Sequence, residues 1–223
     1  MMTGSGMNEH SIENLPFSVR IVKSPGDLQK VAELRQKAYA RHIPEFAKRL
    51  AVPEPEDTTS DIFVLLVESK NDTGEKQALG TMRIHVNRSN PLPLERSIQL
   101  LEQLKNLTLA EAVRFGIIEG TNGKQARDAL FKVFYLICLT LKVDRMVVCA
   151  RFPLHKLYLS LLFEDVFPSG EYIKLKHLDN IPHRVLVLNM HDVKSRWHDN
   201  RHPLYQYVVG TDHPDINAII DHI

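Results

Sequence analysis

Residues 107–118, LTLAEAVRFGII, are rich in the β-branched, aromatic and aliphatic side chains that suit a pleated strand, and RMVVCA at 145–150 is a second apolar run of strand length. Between them lie the turn residues GTNGK and a long run in which Ala126, Leu130, Val133, Phe134, Ile137 and Leu141 share one helical face. Two strands joined through such a helix form a crossover unit, and a crossover sets its strands parallel in one sheet with the helix against one face. Hairpins alone cannot satisfy this segment.

The remaining segments add antiparallel strands around that pair. FSVRIV (17–22) alternates as a strand, and Ser24-Pro25-Gly26-Asp27 supplies an N-cap, a first-turn proline and a first-turn acid for a helix that turns Leu28, Val31, Leu34, Ala38 and Tyr39 inward. IFVLLVES and ALGTMRIHV flank NDTGEKQ and predict a hairpin. Two prolines exclude a central strand from NPLPLERSIQLLEQLKN, while Ile98, Leu101 and Leu104 predict a short helix at its end. After RMVVCA a proline-initiated helix is expected from about 153 to 163, then EYIKLKHL and HRVLVLNM as a closing hairpin through DNIP, and an irregular tail rich in His and Pro. The expected fold class is α/β, with a mixed, mainly antiparallel sheet, one parallel pair and flanking helices. Residues 1–15 are expected to be a mobile N-terminus and 16–223 a single domain.

Charge and cysteine usage narrow the function classes. With a formal net charge of +1 over 223 residues, the chain carries no overall positive field of the kind that nucleic-acid or membrane-surface binding uses. Cys138 and Cys149 sit in apolar runs outside any CxxC spacing, as reduced thiols do. No apolar run reaches membrane-span length, and MMTGSGMNEHSIENLP lacks the basic start and apolar centre of a secretory signal, so a cytoplasmic location is expected. His198 and His202 have the i, i+4 spacing of a zinc pair, but Asp199, Asn200 and Pro203 interrupt the helix that pair needs, and no metal is expected there. His155, His177 and His183 are expected to be structural.

The chemistry concentrates on the 107–118 strand, which carries Glu111 and Arg114 in its middle. Residues three apart on an ideal strand point to opposite faces, so these two share a site only if a β-bulge lies between them. A bulged strand feeding a helix over a mixed sheet resembles the acyltransferases of the N-acetyltransferase (GNAT) superfamily. The pattern is most similar to the branch that takes acyl chains from acyl carrier protein, namely the acyl-homoserine-lactone synthases and the long-chain N-acyl amino acid synthases. The matching residues are Arg35 and Tyr39 in RQKAY, Asp57 and Asp61 in the acidic loop, Arg83 in GTMR, and Glu111, Arg114 and Phe115 in EAVRF. GTNGKQA departs from the usual coenzyme A loop, and the only Trp is Trp197, whereas homoserine-lactone synthases usually carry one near the N-terminus. PLPLE and the His/Pro tail are more similar to the N-acyl amino acid synthases.

The resemblance implies roles. Glu111 is the expected general base for the acceptor amine, and backbone N–H groups at Phe115, Gly116 and Ile117 are the expected donors to the thioester oxygen and pantetheine arm. Arg35, Tyr39, Asp57, Asp61, Arg83 and Arg114 form the expected acceptor-binding or supporting charge network. Ile117, Phe134, Leu157 and Leu161 are expected along the acyl chain, and Lys124, Arg127, Arg151 and Lys156 at the carrier's docking rim. The implied partners are acyl carrier protein and an amino acid; the phosphopantetheine-linked acyl thioester is the donor, and no tightly bound cofactor is expected. Two other functions remain open from the sequence: homoserine-lactone synthesis from S-adenosylmethionine, and a silent acyl-binding protein of the same fold.

Overall fold

The computed structural model describes residues 11–70, 76–120 and 122–217. In chain order the elements are β1 (Ser11–Ile12), β2 (Phe17–Ile21), α1 (Pro25–Ala40), α2 (Pro44–Arg49), β3 (Ile62–Ser69), β4 (Ala78–Val86) and β5 (Leu109–Ile117). They continue with α3 (Gly123–Thr140), β6 (Arg145–Ala150), α4 (His155–Ser160), β7 (Glu164–Asp165), β8 (Ile173–Lys174), β9 (Pro182–Asn189), α5 (Val193–Asp199), β10 (Thr211–Asp212) and α6 (Pro214–Asn217).

The main sheet runs β2-β3-β4-β5-β6-β9-β7, with β8 on the rest of β9. Its pairs are antiparallel except β5 with β6, the parallel pair that the α3 crossover requires. Alternation along the strands divides the core. Leu65, Val67, Met82, Ala110, Ala112 and Val148 face α3, whose Ala126, Leu130, Val133, Phe134 and Ile137 bury against them. On the opposite face α1 packs Leu28, Val31 and Leu34 on Val64 and Leu66, while Leu92, Leu94 and Leu104 from the β4–β5 connection cover Leu109, Val147 and Val185.

Several expectations change. The helix expected through Ile98, Leu101 and Leu104 is replaced by two 3-10 turns, Pro93–Arg96 and Glu102–Leu104. The same apolar side chains cover the sheet without an α-helix, because burial and not propensity fixes the segment. The helix after β6 spans only His155–Ser160. EYIKLKHL contributes two residues, Ile173–Lys174, to the sheet and then turns 3-10 at Lys176–Leu178. From the described part of the tail, Val193, Trp197, Val208 and Ile216 enter the core. Of the segment expected to be mobile, residues 11–15 are held, since Ser11–Ile12 pairs with Thr211–Asp212, Leu15 is buried, and its N–H donates to Asp215 at 2.7 Å. Residues 1–10, the turn expected at 71–75, residue 121 and residues 218–223 lie outside the described residues. Among the described residues no helix is long and apolar enough to cross a membrane.

Candidate active site

The site begins with a register shift. Arg83 pairs with Val113 and Thr81 with Gly116, so β5 carries one residue more than β4 across that interval, and Arg114 takes φ +54° within it. The bulge turns Arg114 to the face that Arg83 and Glu111 occupy, where its Nε and Nη2 donate to both oxygens of Glu54 at 2.7 and 2.6 Å. A side chain in the left-handed region carries strain that this bidentate pair offsets.

Glu54 and Asp57 anchor a charge network from three elements. Arg35 of α1 donates through Nη1 and Nη2 to Asp57 at 2.8 and 2.9 Å, and Arg83 of β4 donates through Nη1 to Asp57 at 3.0 Å. Arg35 and Arg83 also lie 3.5 and 3.2 Å from Glu54. Three guanidinium groups thus meet two carboxylates, all of them mostly buried. Burial pushes Glu54 and Asp57 up, but the guanidinium hydrogen bonds and charges outweigh it and hold both below the usual carboxylate range. Burial, together with Arg83, brings neighbouring His85 down to about 3, so its imidazole is neutral. Asp61 stands apart at a turn with φ +59°, where its carbonyl accepts from Val86 N–H. Glu54, the hub, was not among the residues expected from sequence; the acidic loop PEPEDTTSD was its only signal.

Glu111 does not contact Arg114. It is fully buried on the same face, two residues before the bulge partner Val113, and its Oε2 accepts from Leu94 N–H at 2.8 Å. Its Oε1 lies 3.6 Å from Cys149 Sγ on β6 and 3.7 Å from His177 Nε2 on the 3-10 turn after β8. Burial pushes the Cys149 thiol up and the Glu111 carboxylate adds to that. His177 Nδ1 is 2.8 Å from Ser97 Oγ. The 87–108 connection therefore supplies both the backbone donor to Glu111 and the hydroxyl that orients His177. His155 contacts Tyr172 and His183 contacts the Ile181 carbonyl, as structural histidines do.

A cavity adjoins these groups. β5 pairs with β6 only over Leu109–Ala112 and Arg145–Val148; beyond that β5 continues on β4 and β6 on β9, and the two strands part. The gap opens a cavity of about 370 Å³. One wall is Val113, Arg114, Phe115, Gly116 and Ile117; another is Cys149, Arg151, Pro153, Leu154 and Tyr158; α1, α2 and the turn between them add Tyr39, Phe46 and His42. Along the parted edge β5 has no strand partner among the described residues, so backbone N–H groups directed there can meet a ligand. Arg114 lies over the Phe46 ring at 5.1 Å.

Phe134, Leu157 and Leu161 are not on the cavity wall; Phe134 and Leu161 are core and Leu157 packs against it. Ile117 is on the wall. Of the four cations expected at a docking rim, Arg151 lines the cavity, and Lys156 is exposed with Nζ 5.5 Å from the Phe152 ring. Lys124 is exposed at the start of α3, and Arg127 is paired with Asp128 at 2.7 Å.

No protein-family model matches the chain, and no curated protein matches it. Solved structures do. FeeM, an N-acyl amino acid synthase from uncultured soil microbes, superposes with a TM-score of 0.61 at 18% identity over 86% of this chain and 96% of that one. BjaI, a coenzyme A-dependent acyl-homoserine lactone synthase, gives 0.53 at 12% over 93% and 100%. Arabidopsis thaliana NAA60, solved with acetyl-coenzyme A, gives 0.54 at 14% over 78% and 99%. At these identities the likeness carries the architecture alone, and the chain has the GNAT fold.

Proposed function

We propose that this protein is an N-acyltransferase that moves a long-chain acyl group from the phosphopantetheine thioester of acyl carrier protein to the α-amine of an amino acid. The observation that carries the proposal is the cavity between the parted β5 and β6, which presents an unpartnered strand edge and a mostly apolar wall beside a buried carboxylate. An extended pantetheine arm fits such an edge as an added strand does, and the N–H groups at Phe115–Ile117 meet the thioester oxygen as it becomes an oxyanion. Arg114 on the cavity wall belongs to a network of three guanidinium groups and two carboxylates, whose excess positive charge suits an acceptor carboxylate.

In this reaction the amine nitrogen attacks the thioester carbon, the C–S bond breaks, and the thiolate leaves with a proton. Glu111 takes the proton that the acceptor ammonium must lose before its nitrogen can attack, and the second proton released at nitrogen as the amide forms goes to the departing thiolate. Glu111 stands behind the wall formed by Cys149 and is not itself on that wall, so the mechanism requires transfer over an intervening water. The neighbours that carry out acyl transfer by their names support this reading.

The test is incubation with acyl-loaded carrier protein and a mixture of amino acids, with products identified by mass. N-acyl amino acids are expected. Acyl-homoserine lactone formed only with S-adenosylmethionine would replace the acceptor, and no product from either would overturn the activity. Glu111→Gln retains the acceptor for Leu94 N–H, so folding is expected to persist while turnover falls by about 10²–10⁴-fold. Normal turnover in that variant would remove Glu111 from the mechanism.

A further inference from the structure

Three potential metal ligands of different chemistry converge where sequence spacing gives no hint of a site. Glu111 Oε1, Cys149 Sγ and His177 Nε2 lie within 4.8 Å of one another and come from β5, β6 and the turn after β8. A tetrahedral zinc ion, with Zn–S about 2.3 Å and Zn–O or Zn–N about 2.1 Å, spaces its ligand atoms about 3.4–3.6 Å apart. The carboxylate oxygen here is 3.6 Å from the sulfur and 3.7 Å from the imidazole nitrogen.

The surroundings are those of a supported ligand set. Metal-bound imidazoles and carboxylates are usually fixed through their other polar atom. His177 is fixed at Nδ1 by Ser97 Oγ, and Glu111 at Oε2 by Leu94 N–H. The His177 side chain is only 6% exposed, yet its Nε2 has no hydrogen-bond partner and faces the Glu111 oxygen. A buried imidazole nitrogen left without a partner costs free energy, which a cation bound there would recover. Cys149 lies on the cavity wall, which leaves a fourth coordination position on the cavity side for water or a ligand.

We propose that Glu111, Cys149 and His177 form a binding site for zinc or another thiophilic divalent cation. Binding expels the Cys149 proton to solvent, and the carboxylate and thiolate together neutralise the dication. Soft sulfur with imidazole selects zinc or cobalt over magnesium or calcium. The site differs from the His198/His202 pair of the sequence, which does not converge: His198 contacts Asp199 and His202 contacts the Ser160 carbonyl. The cation occupies Glu111, so on the proposed mechanism it blocks the base, and zinc acts as a reversible inhibitor; that consequence rests on the proposed function, whereas the binding does not.

The experiment is titration of chelator-treated protein with Co²⁺, read by optical absorption. One equivalent with a thiolate-to-cobalt charge-transfer band and intense tetrahedral ligand-field bands is expected, displaced by Zn²⁺ and not by Mg²⁺. Cys138 is fully buried in the core, so such a band identifies Cys149 without any variant. Cys149→Ser should abolish the band, His177→Gln should weaken binding at least tenfold, and Ser97→Ala should weaken it about tenfold or more through the lost orienting contact. Absence of the band in the wild type, or cobalt bound equally well by the Cys149→Ser, His177→Gln double variant, overturns the site. Cobalt bound as expected while zinc leaves acyl transfer unaffected would keep the site and remove Glu111 as base. No cobalt binding with an inactive Glu111→Gln variant would do the reverse.

Discussion

Asp57 is the carboxylate that Arg35 and Arg83 share most closely. It accepts from both Arg35 and Arg83, and removing its charge leaves two guanidinium groups facing only Glu54. Leaving a buried charge unpaired costs about 3–5 kcal/mol, so Asp57→Asn is expected to lose that much in chemical denaturation. Asp27→Asn, at the half-exposed pair with Arg20, should lose no more than about 1 kcal/mol. The network also fixes a pH response. Asp57 and Glu54 have folded pKa values below their unfolded ones, so the unfolded chain binds more protons as acid is added. Their contribution is complete above the usual carboxylate range and is lost progressively as pH falls from that range through their lower folded values. Stability measured between about pH 5 and pH 2 should therefore fall more steeply for the wild type than for Asp57→Asn; parallel curves would show that Asp57 is not held in its charged form.

At the scale of elements, β5 joins the two halves of the site, and how closely α1 lies against it can be tested at one glycine. A Cβ on Gly116 would lie 3.1 Å from Ala38 Cβ and 3.6 Å from a Leu34 methyl, so the helix and strand meet there with no room for a side chain. Gly116→Val should push α1 away at a cost of about 1–3 kcal/mol, seen as a lower denaturation midpoint. An unchanged midpoint would mean that α1 is free to shift. The sequence made β5 legible because Glu111 and Arg114 conflict with an alternating strand, and only a bulge resolves the conflict. It made the parallel pair legible through the length of the α3 crossover. Glu54 was not legible because its loop holds four acids with no periodicity to choose among them. Nor was His177, which reaches Glu111 from 66 residues away through a 3-10 turn whose residues alternate like a strand. The 95–105 segment misled for a related reason: spacing by three positions satisfies a 3-10 path across the sheet as well as a helical one.

For the molecule as a whole, the question is how a nearly neutral chain would receive an acidic carrier protein. A net charge of +1 gives no long-range attraction, so recognition on the proposed function must come from a local rim at the cavity mouth. The turn after β6, with the start of α4, has that character: Arg151 lines the cavity, Lys156 is exposed, and between them Phe152 is 63% exposed. A cation resting against an exposed aromatic ring offers both charge and apolar contact to an acidic helix. Arg127 is tied to Asp128 and is the weaker candidate; Lys124 belongs to a different element and can be tested separately. Lys156→Glu should raise the apparent KM for acyl-loaded carrier about fivefold, the effect of about 1 kcal/mol for one rim charge, and the difference should shrink as salt is added. The KM for a short pantetheine thioester should stay the same, because that donor carries no acidic helix. Lys124→Glu is the comparison: a matching rise would extend the rim to the start of α3, and no change would confine it to the turn after β6. If Lys156→Glu weakens both donors equally, the substitution has damaged the cavity, and if it weakens neither, the carrier docks on another face.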